Sequence, residues 1–556
     1  MKSFKYNIKK ILKNSNLYYK HLINWNLILS SENKAIYDDL QIKSNKDETI
    51  LISTTTGGHL VSSHFDTILA SALIKNGKNV EFLLCDAILE GCQQSTSHFI
   101  PENIFKKDGP KSLCESCYHS GLLVYEKMGI KINKLGDHIS SDERKDIDNI
   151  LEELSYTELL EYKDNEINLT EDALSGALRY YAVGTLDNEP YKEEVLRKYL
   201  KSAIITKIAF KNLIKKKNFS TVVLNHGIYV PQGTISKIAK LNNINVVCYQ
   251  PSYKTNCFTL SHDTTYHLTM MDEPVSYWEN IEWNENLDER LKKYLFSRRH
   301  GKNDWEYYFR KPEFNVHEKF KAYGLNINKP IVGMLTNIIW DALLTYPNNI
   351  FDNMLEWIFK TIDYFKTRPD LQLAIRVHPA EVNSDRVSKQ KVLDEIKKKY
   401  VEIPKNIIVI DSNDNLSTYS FADICDSIII YSTKMGMEFS PLGIPVICAG
   451  ESYVKNKGIT FDPKNQSEYM NILKNLPMKN KLSAEKVLRA KKYAYHFFFR
   501  RSIPISSITH KPHAWPPFTL DKYGFKKILD GKDLGLEQIC NSIINKKPFI
   551  FEDEKY

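Results

Sequence analysis

Nowhere in its 556 residues does the sequence hold an apolar run long enough to span a bilayer, so no membrane-crossing helix is predicted. The opening stretch has lysines at positions 2, 5, 9, 10, 13 and 20 and no acid, but it lacks an uninterrupted apolar core and a small-residue cleavage site. No signal peptide is expected. A large charge excess is also missing: +8 with a pI near 8.7 suits an enzyme that meets anionic sugars, nucleotides or a membrane surface, and equally a lysine-rich proteome. Nucleic-acid binding is not predicted. The nine cysteines are an odd number, which with no signal peptide favours a reducing cytoplasm and metal-bound or free thiols over disulfides. What is present, 42% hydrophobic and 26% charged residues, is ordinary globular composition, enough for two or three domains with full cores.

The most informative stretch runs from Asp426 to Pro463. It reads as a strand at Ile428–Tyr431, a hydroxyl turn at Ser432 and Thr433, a helix opening at Gly436 and Glu438, a break at Pro441–Gly443, and a second strand at Pro445–Ala449. Such a corner presents amides and hydroxyls to a phosphate at the carboxyl end of a parallel sheet; an ordinary βαβ unit with a serine-rich cap reads the same way. Upstream, Leu373–Val377 is a buried strand ending in His378-Pro379. The proline fixes the turn and holds the imidazole at the sheet rim, with Arg376 beside it.

The pair His378-Pro379 and Ser432-Thr433, continued by Gly436, Glu438 and Gly443-Ile444-Pro445, resembles the donor-binding domain of GT-B glycosyltransferases. More narrowly it is similar to bacterial capsule polysaccharide glycosyltransferases, polysialyltransferase-like and Kdo-transferase-like, which use CMP-activated sugars. The resemblance implies that the histidine and the hydroxyls hold the nucleotide's phosphate and that Glu438 holds ribose hydroxyls. One departure stands out: there is no acidic-acidic-glycine motif to supply a general base.

In the first half, Ile50–Ser53 is a strand, Thr54–His59 a glycine-bearing loop, Val61–Lys75 a helix and Val80–Leu84 the next strand. The loop TTTGGHL resembles the Gly-Gly-His loop of GT-B enzymes such as the lipid II-forming N-acetylglucosaminyltransferase. Gly57 and Gly58 would then let the backbone approach a substrate, and His59 would take a proton from an acceptor hydroxyl, with His64 and Asp66 in reserve. A histidine at a helix start without a catalytic part fits the same residues. The pattern repeats at Val222–Leu224, followed by Asn225-His226-Gly227, which makes His226 a second candidate base. Cys85, Cys92, Cys114 and Cys117 have spacing suited to a structural zinc, or are free thiols.

The expected architecture is α/β: two Rossmann-like doubly wound domains facing a cleft (GT-B), with a helical N-terminal arm and a helical insertion. The arm is residues 1–48, packing on the body or lying on an anionic inner leaflet through its lysines; the acceptor-side domain is 49–327, with the insertion at about 136–215. The nucleotide-sugar domain is 328–500, and 501–556 forms crossing helices. Asn337 and Asp341, after the strand Ile331–Leu335, are expected at the donor, with Asp341 as a third candidate base. The predicted function is transfer of a sugar, from CMP-ulosonic acid in preference to a UDP-sugar, to a glycan or glycoconjugate acceptor in bacterial surface polysaccharide assembly. It is expected to be inverting and to need no metal for catalysis. The protein is expected in the cytoplasm, with peripheral contact at the inner face of the plasma membrane. The alternatives are a CDP-glycerol-type glycerophosphotransferase, a UDP-sugar 2-epimerase and a non-catalytic glycan-binding assembly protein.

Overall fold

A computed structural model describes residues 22–305, 312–478, 481–512 and 514–555, and the chain divides into two compact units. Residues 1–21 of the expected N-terminal arm lie outside the described residues.

The first unit comprises residues 22–181, 185–266 and 501–552. Its sheet is built from β1 (Asn45–Thr55), β2 (Lys78–Leu84), β3 (Lys131–Lys134), β4 (Thr221–Asn225), β5 (Asn245–Pro251), β6 (Cys257–His262) and β12 (Ile503–Pro504). The order is β12-β6-β5-β4-β1-β2-β3, parallel from β5 to β3 and antiparallel at β6 and β12. β4 is buried at every position, as expected of a parallel strand covered on both faces. The chain reverses its direction of winding between β1 and β4, so the carboxyl ends of these two strands form the topological switch point.

Apart from His64, Asp66 and the terminal Lys75, the helix Leu60–Lys75 is apolar or small all round, and it is buried from Leu60 to Ile74, the pattern of a helix enclosed on every side. It packs on β1 and β2 and is covered by the helices Ser31–Lys43, Lys111–Tyr125, Lys522–Leu529 and Leu534–Asn545. Its hydroxyls are satisfied by the helix itself, Thr67 bonding the His64 carbonyl at 2.7 Å and Ser71 that of Thr67 at 2.8 Å. The described part of the arm belongs to this packing, with Trp25 edge-on to Phe525 at 5.4 Å. The insertion is helical, with Leu169–Tyr181 and the 25-residue Lys192–Lys216 packed together.

The second unit comprises residues 182–184, 267–500 and 553–555. Its five strands are β7 (Ile331–Leu335), β8 (Gln372–Arg376), β9 (Ile407–Ile410), β10 (Ser427–Ile430) and β11 (Val446–Cys448), all parallel in the order β11-β10-β7-β8-β9. The switch point lies between β7 and β10. One face is filled by Trp357, Ile358, Ile362, Phe365, Leu373 and Tyr469, with Trp357 stacked on Tyr431 at 5.1 Å. Two doubly wound α/β units in one chain are what the resemblance to GT-B enzymes implied.

The division falls at 266/267, whereas the sequence reading placed it at 327/328. Residues 267–305 are held by the second unit. Lys457 Nζ donates to the carbonyls of Met271 (2.8 Å) and Glu273 (3.1 Å), His496 meets Glu273 at 3.1 Å, and Trp278 lies against Tyr493 at 4.9 Å. Residues 501–552 return to the first unit, where β12 extends the sheet edge at β6. No helix among the described residues is long and apolar enough to cross a membrane.

Candidate functional site

In the second unit the carboxyl ends of β7, β8 and β10 bring together Thr336, Asn337, His378 and Ser432. The Thr336 hydroxyl accepts the His378 amide at 3.0 Å, and the Asn337 side-chain amide donates to the Ser432 carbonyl at 2.7 Å, so three strand ends are tied to one another. His378 Nδ1 accepts the Ala380 amide at 3.1 Å. The ring proton therefore sits on Nε2, and the imidazole is a neutral donor. Burial, then the neighbouring Lys434 and Arg376, push its pKa down to about 3, so it stays neutral across the physiological range. The Ser432 hydroxyl is buried with no hydrogen-bond partner among the described residues, a donor that is costly to leave unmatched. A neutral imidazole N–H, a spare hydroxyl and a lysine at one sheet rim can hold a phosphate.

Four residues expected here, Arg376, Glu438, Asp341 and Gly436, are placed differently. Arg376 is buried at 2% exposure, and its guanidinium donates to the carbonyls of Asp411 (2.6 Å), Asp414 (2.7 Å) and Leu416 (3.2 Å), tying down the turn after β9. Glu438 is 1% exposed. Its carboxylate accepts from Arg298 at 3.0 and 3.1 Å and from the Tyr419 hydroxyl at 2.5 Å, with Lys434 at 3.7 Å, so both oxygens face protein donors instead of a ribose. Asp341 is exposed on the loop after β7. The helix at Gly436 is a single turn, Gly436–Phe439, too short for a helix dipole to carry phosphate binding; a Cβ on Gly436 would stand 2.7 Å from Val454 Cγ1, so this glycine serves packing. Thr433 braces the turn, its carbonyl accepting from Ser452 Oγ at 2.7 Å. Lys434 and Thr336 were missed in the sequence: a lysine in a turn carries no pattern, and Thr336 acts through its register opposite β8.

In the first unit the switch point joins His59, after β1, to His226, after β4. Both strands end in a residue with left-handed backbone, Thr55 at φ 68° and His226 at φ 67°. That conformation is costly for a β-branched side chain and is a form of strain that collects at functional sites. His59 Nδ1 lies 2.6 Å from Ser62 Oγ. Burial, then Arg179, then His226 push the His59 pKa down to about 4, which keeps it neutral. Arg179 donates to the Gln93 carbonyl at 2.5 Å and lies 4.8 Å from the centre of the Tyr229 ring, whose other neighbour is His226 at 5.8 Å. Gln93 in turn donates to Thr56 Oγ1 at 3.3 Å. Two histidines, a guanidinium and a phenol thus share one strand-end cluster. Arg179 had no sequence signal, because it arrives from the helical insertion.

Gly57 and Gly58 have a different role from the one expected. A Cβ on Gly57 would stand 2.5 Å from Gly121 Cα, and one on Gly58 3.1 Å from Cys117 Cα, so both glycines let the loop press against the helix Lys111–Tyr125. The Gly58 amide donates to Cys117 Sγ at 3.1 Å. That contact bears on the four cysteines: among the described residues no three His, Cys, Asp or Glu side chains stand as a metal-ligand set. None of the four is in a disulfide, and burial followed by the neighbouring thiols Cys92 and Cys117 pushes Cys85 up to about 12, toward the protonated form. Burial, then Cys92, Cys85 and Cys117, also raise Cys114, so the four thiols stand near enough to act on one another.

The reserves His64 and Asp66 are interior. His64 Nε2 accepts the Ile23 amide at 3.3 Å. Asp66 accepts from Thr54 (2.9 Å), Tyr249 (2.5 Å) and Tyr125 (2.8 Å), yet burial outweighs these bonds and lifts its pKa from 3.8 to about 7. Between those two values the folded state keeps a proton that the unfolded state releases, so the stability this group contributes is fully present below pH 3.8 and is lost as pH rises through 7. Over the whole window the loss from this one group is about 4 kcal/mol. Asp66→Asn is expected to remove that slope, read as denaturation midpoints at pH 4.5 and 7.5; an unchanged slope would contradict the assignment.

Residues 325–498, inside the second unit, match the family described as "Capsule polysaccharide biosynthesis protein". No curated protein matches the chain. Among solved structures, the beta Kdo 2,4 transferase KpsC of Thermosulfurimonas dismutans is 14% identical over 56% of this chain and 87% of its own, with a TM-score of 0.36. The UDP-GlcNAc 2-epimerase of Neisseria meningitidis is 9% identical over 87% and 98%, with a TM-score of 0.24. Likeness at these scores carries no weight for the chemistry. The family match covers residues 325–498 and does not extend into the first unit.

Proposed function

We propose that this protein is a glycosyltransferase of surface polysaccharide assembly. It moves a sugar from a nucleotide-sugar donor, a CMP-activated ulosonic acid in preference to a UDP-sugar, to a hydroxyl of a glycan or glycoconjugate. The second unit holds the donor's phosphate through His378 Nε2–H, the Ser432 hydroxyl and Lys434. In the first unit His59 or His226 takes the acceptor proton as its oxygen attacks the anomeric carbon. One base suffices for a single displacement, so the product is inverted, and the charge leaving with the nucleotide meets Lys434 and fixed donors without a divalent ion. The observation that carries this reading is the neutral His378 donor beside the unmatched Ser432 hydroxyl, within the segment that matches the capsule family.

The test is thermal stabilisation by CMP, CDP, UDP and GDP, on the intact protein and on His378→Ala. A nucleotide at a hundred times its dissociation constant adds about 2.7 kcal/mol, a readily visible melting shift. Selective stabilisation by CMP, lost in His378→Ala, is expected. Preference for UDP or GDP would change the donor, preference for CDP would favour a glycerophosphotransferase, and no response to any nucleotide would overturn the donor site.

A further inference from the structure

Near His59 the chain makes a small hairpin, β13 (Thr509–His510) paired antiparallel with β14 (Phe518–Thr519). Phe518 anchors it, 2% exposed and edge-on to His64 at 6.3 Å and Phe258 at 6.1 Å. The loop between the strands is closed by the Lys511 amide on the Pro517 carbonyl at 2.7 Å, and Pro516 and Pro517 stiffen it. From this loop Trp515 reaches His59, with ring centres 6.5 Å apart and planes at 76°.

Trp515 is 50% exposed, while Trp25, Trp278, Trp340 and Trp357 are each at most 6% exposed; among the described residues it is the one exposed tryptophan. A loop anchored in the core at Phe518 therefore presents an open indole beside the ring of a candidate base. On the loop that carries His59, Thr56 accepts from the Gln93 side chain, and the Gln93 carbonyl accepts from Arg179, whose charge acts on His59. An aromatic plate next to a few oriented polar groups is the composition of a site for a molecule with one apolar face and a polar edge. A pyranose is such a molecule, with a C–H face for the indole and hydroxyls at its rim.

We propose that Trp515 is the platform of an acceptor-sugar subsite, on which a pyranose ring stacks so that one of its hydroxyls meets His59. The inference rests on the reading of the protein as a glycosyltransferase and names where that enzyme would hold its acceptor.

The experiment is saturation-transfer NMR on the full chain, with methyl β-glucoside, methyl β-galactoside, methyl N-acetyl-β-glucosaminide and methyl β-glucuronide as probes. At least one glycoside is expected to take up saturation at its ring C–H protons. Trp515→Ala should weaken that binding about tenfold, the scale of one lost aromatic stack, and Trp515→Phe should restore most of it. Retained contact in Trp515→Ala, or no contact with any of the four glycosides in the unaltered protein, would overturn the subsite. Binding of Trp515 to vesicles of phosphatidylglycerol in place of the sugars would assign the indole to a membrane surface and also overturn it. The nucleotide melting shift is unaffected by these variants, so its failure would count against the donor reading alone.

Discussion

Glu438→Ala is expected to destabilise the second unit by about 3–5 kcal/mol, the cost of leaving a buried charge without its partner. The charge left behind is Arg298, whose side chain is 5% exposed against 1% for Glu438. The guanidinium spans two carboxylates, with Glu438 at 3.0 and 3.1 Å on one side and Asp304 on the other, and it donates to the Tyr294 hydroxyl at 3.2 Å. Burial alone would raise the Glu438 pKa, but Arg298 and then Lys434 more than reverse this and hold it below its ordinary 4.5. A carboxylate with a lowered folded pKa adds stability that is present above pH 4.5 and lost on acidification. Asp304 is raised instead, because burial outweighs the pull of Arg298 there. Calorimetry should show a lowered melting transition for Glu438→Ala. The triple variant Arg298→Met, Glu438→Leu, Asp304→Leu should recover most of the loss, since apolar replacement of a whole buried ion network is often neutral or stabilising. A melting shift no larger than that of an exposed pair such as Lys34–Asp38 would contradict the role given to this network.

The same network shows what the sequence could not reveal. Most central strands were legible, because a buried parallel strand is a short apolar run with a polar stop. Ile331–Leu335 matches residue for residue and the other strands read from the sequence differ at their ends, whereas the edge elements Lys131–Lys134, Cys257–His262 and Ile503–Pro504 were not read as strands. The strand ends were legible for the same reason, so His59, His226, His378 and Ser432 fall at carboxyl edges as expected. Pairings between distant segments were not. Arg298 meets Glu438 across 140 positions, and Arg179 meets the Gln93 carbonyl across 86, with no local pattern in either partner. A glutamate on the first turn of a helix reads equally as a ligand contact or as the far end of such a pair. The glycines of TTTGGHL were ambiguous in the same way, since close approach to a ligand and close approach to another helix place the same demand on the backbone. The unit boundary was misplaced because Pro274–Tyr323 is aromatic and helical without repeating either sheet's pattern, and its assignment depends on contacts with residues beyond 450.

Loss of the true base is expected to lower kcat by about 10²- to 10⁴-fold, the usual yield of general base catalysis. His59→Ala and His226→Ala, assayed as nucleotide release with acceptor present, should therefore differ sharply: one falls by that factor, and the other changes chiefly KM or backbone geometry. The acid limb of kcat/KM identifies which is the base, because it reports the pKa of the essential base in the free enzyme. If His59 accepts the proton, the limb lies near its folded value of about 4, and the rate is flat through neutral pH. Arg179 contributes to that low value, so Arg179→Met should move a His59-based limb upward toward 6.5. Such a response, coupled to the loss in His59→Ala, would assign the base to His59 and leave His226 as the residue whose left-handed backbone shapes the strand end. A limb that ignores Arg179→Met and disappears in His226→Ala would reverse the two roles. Equal, small effects from both histidines would remove the base from the first unit altogether.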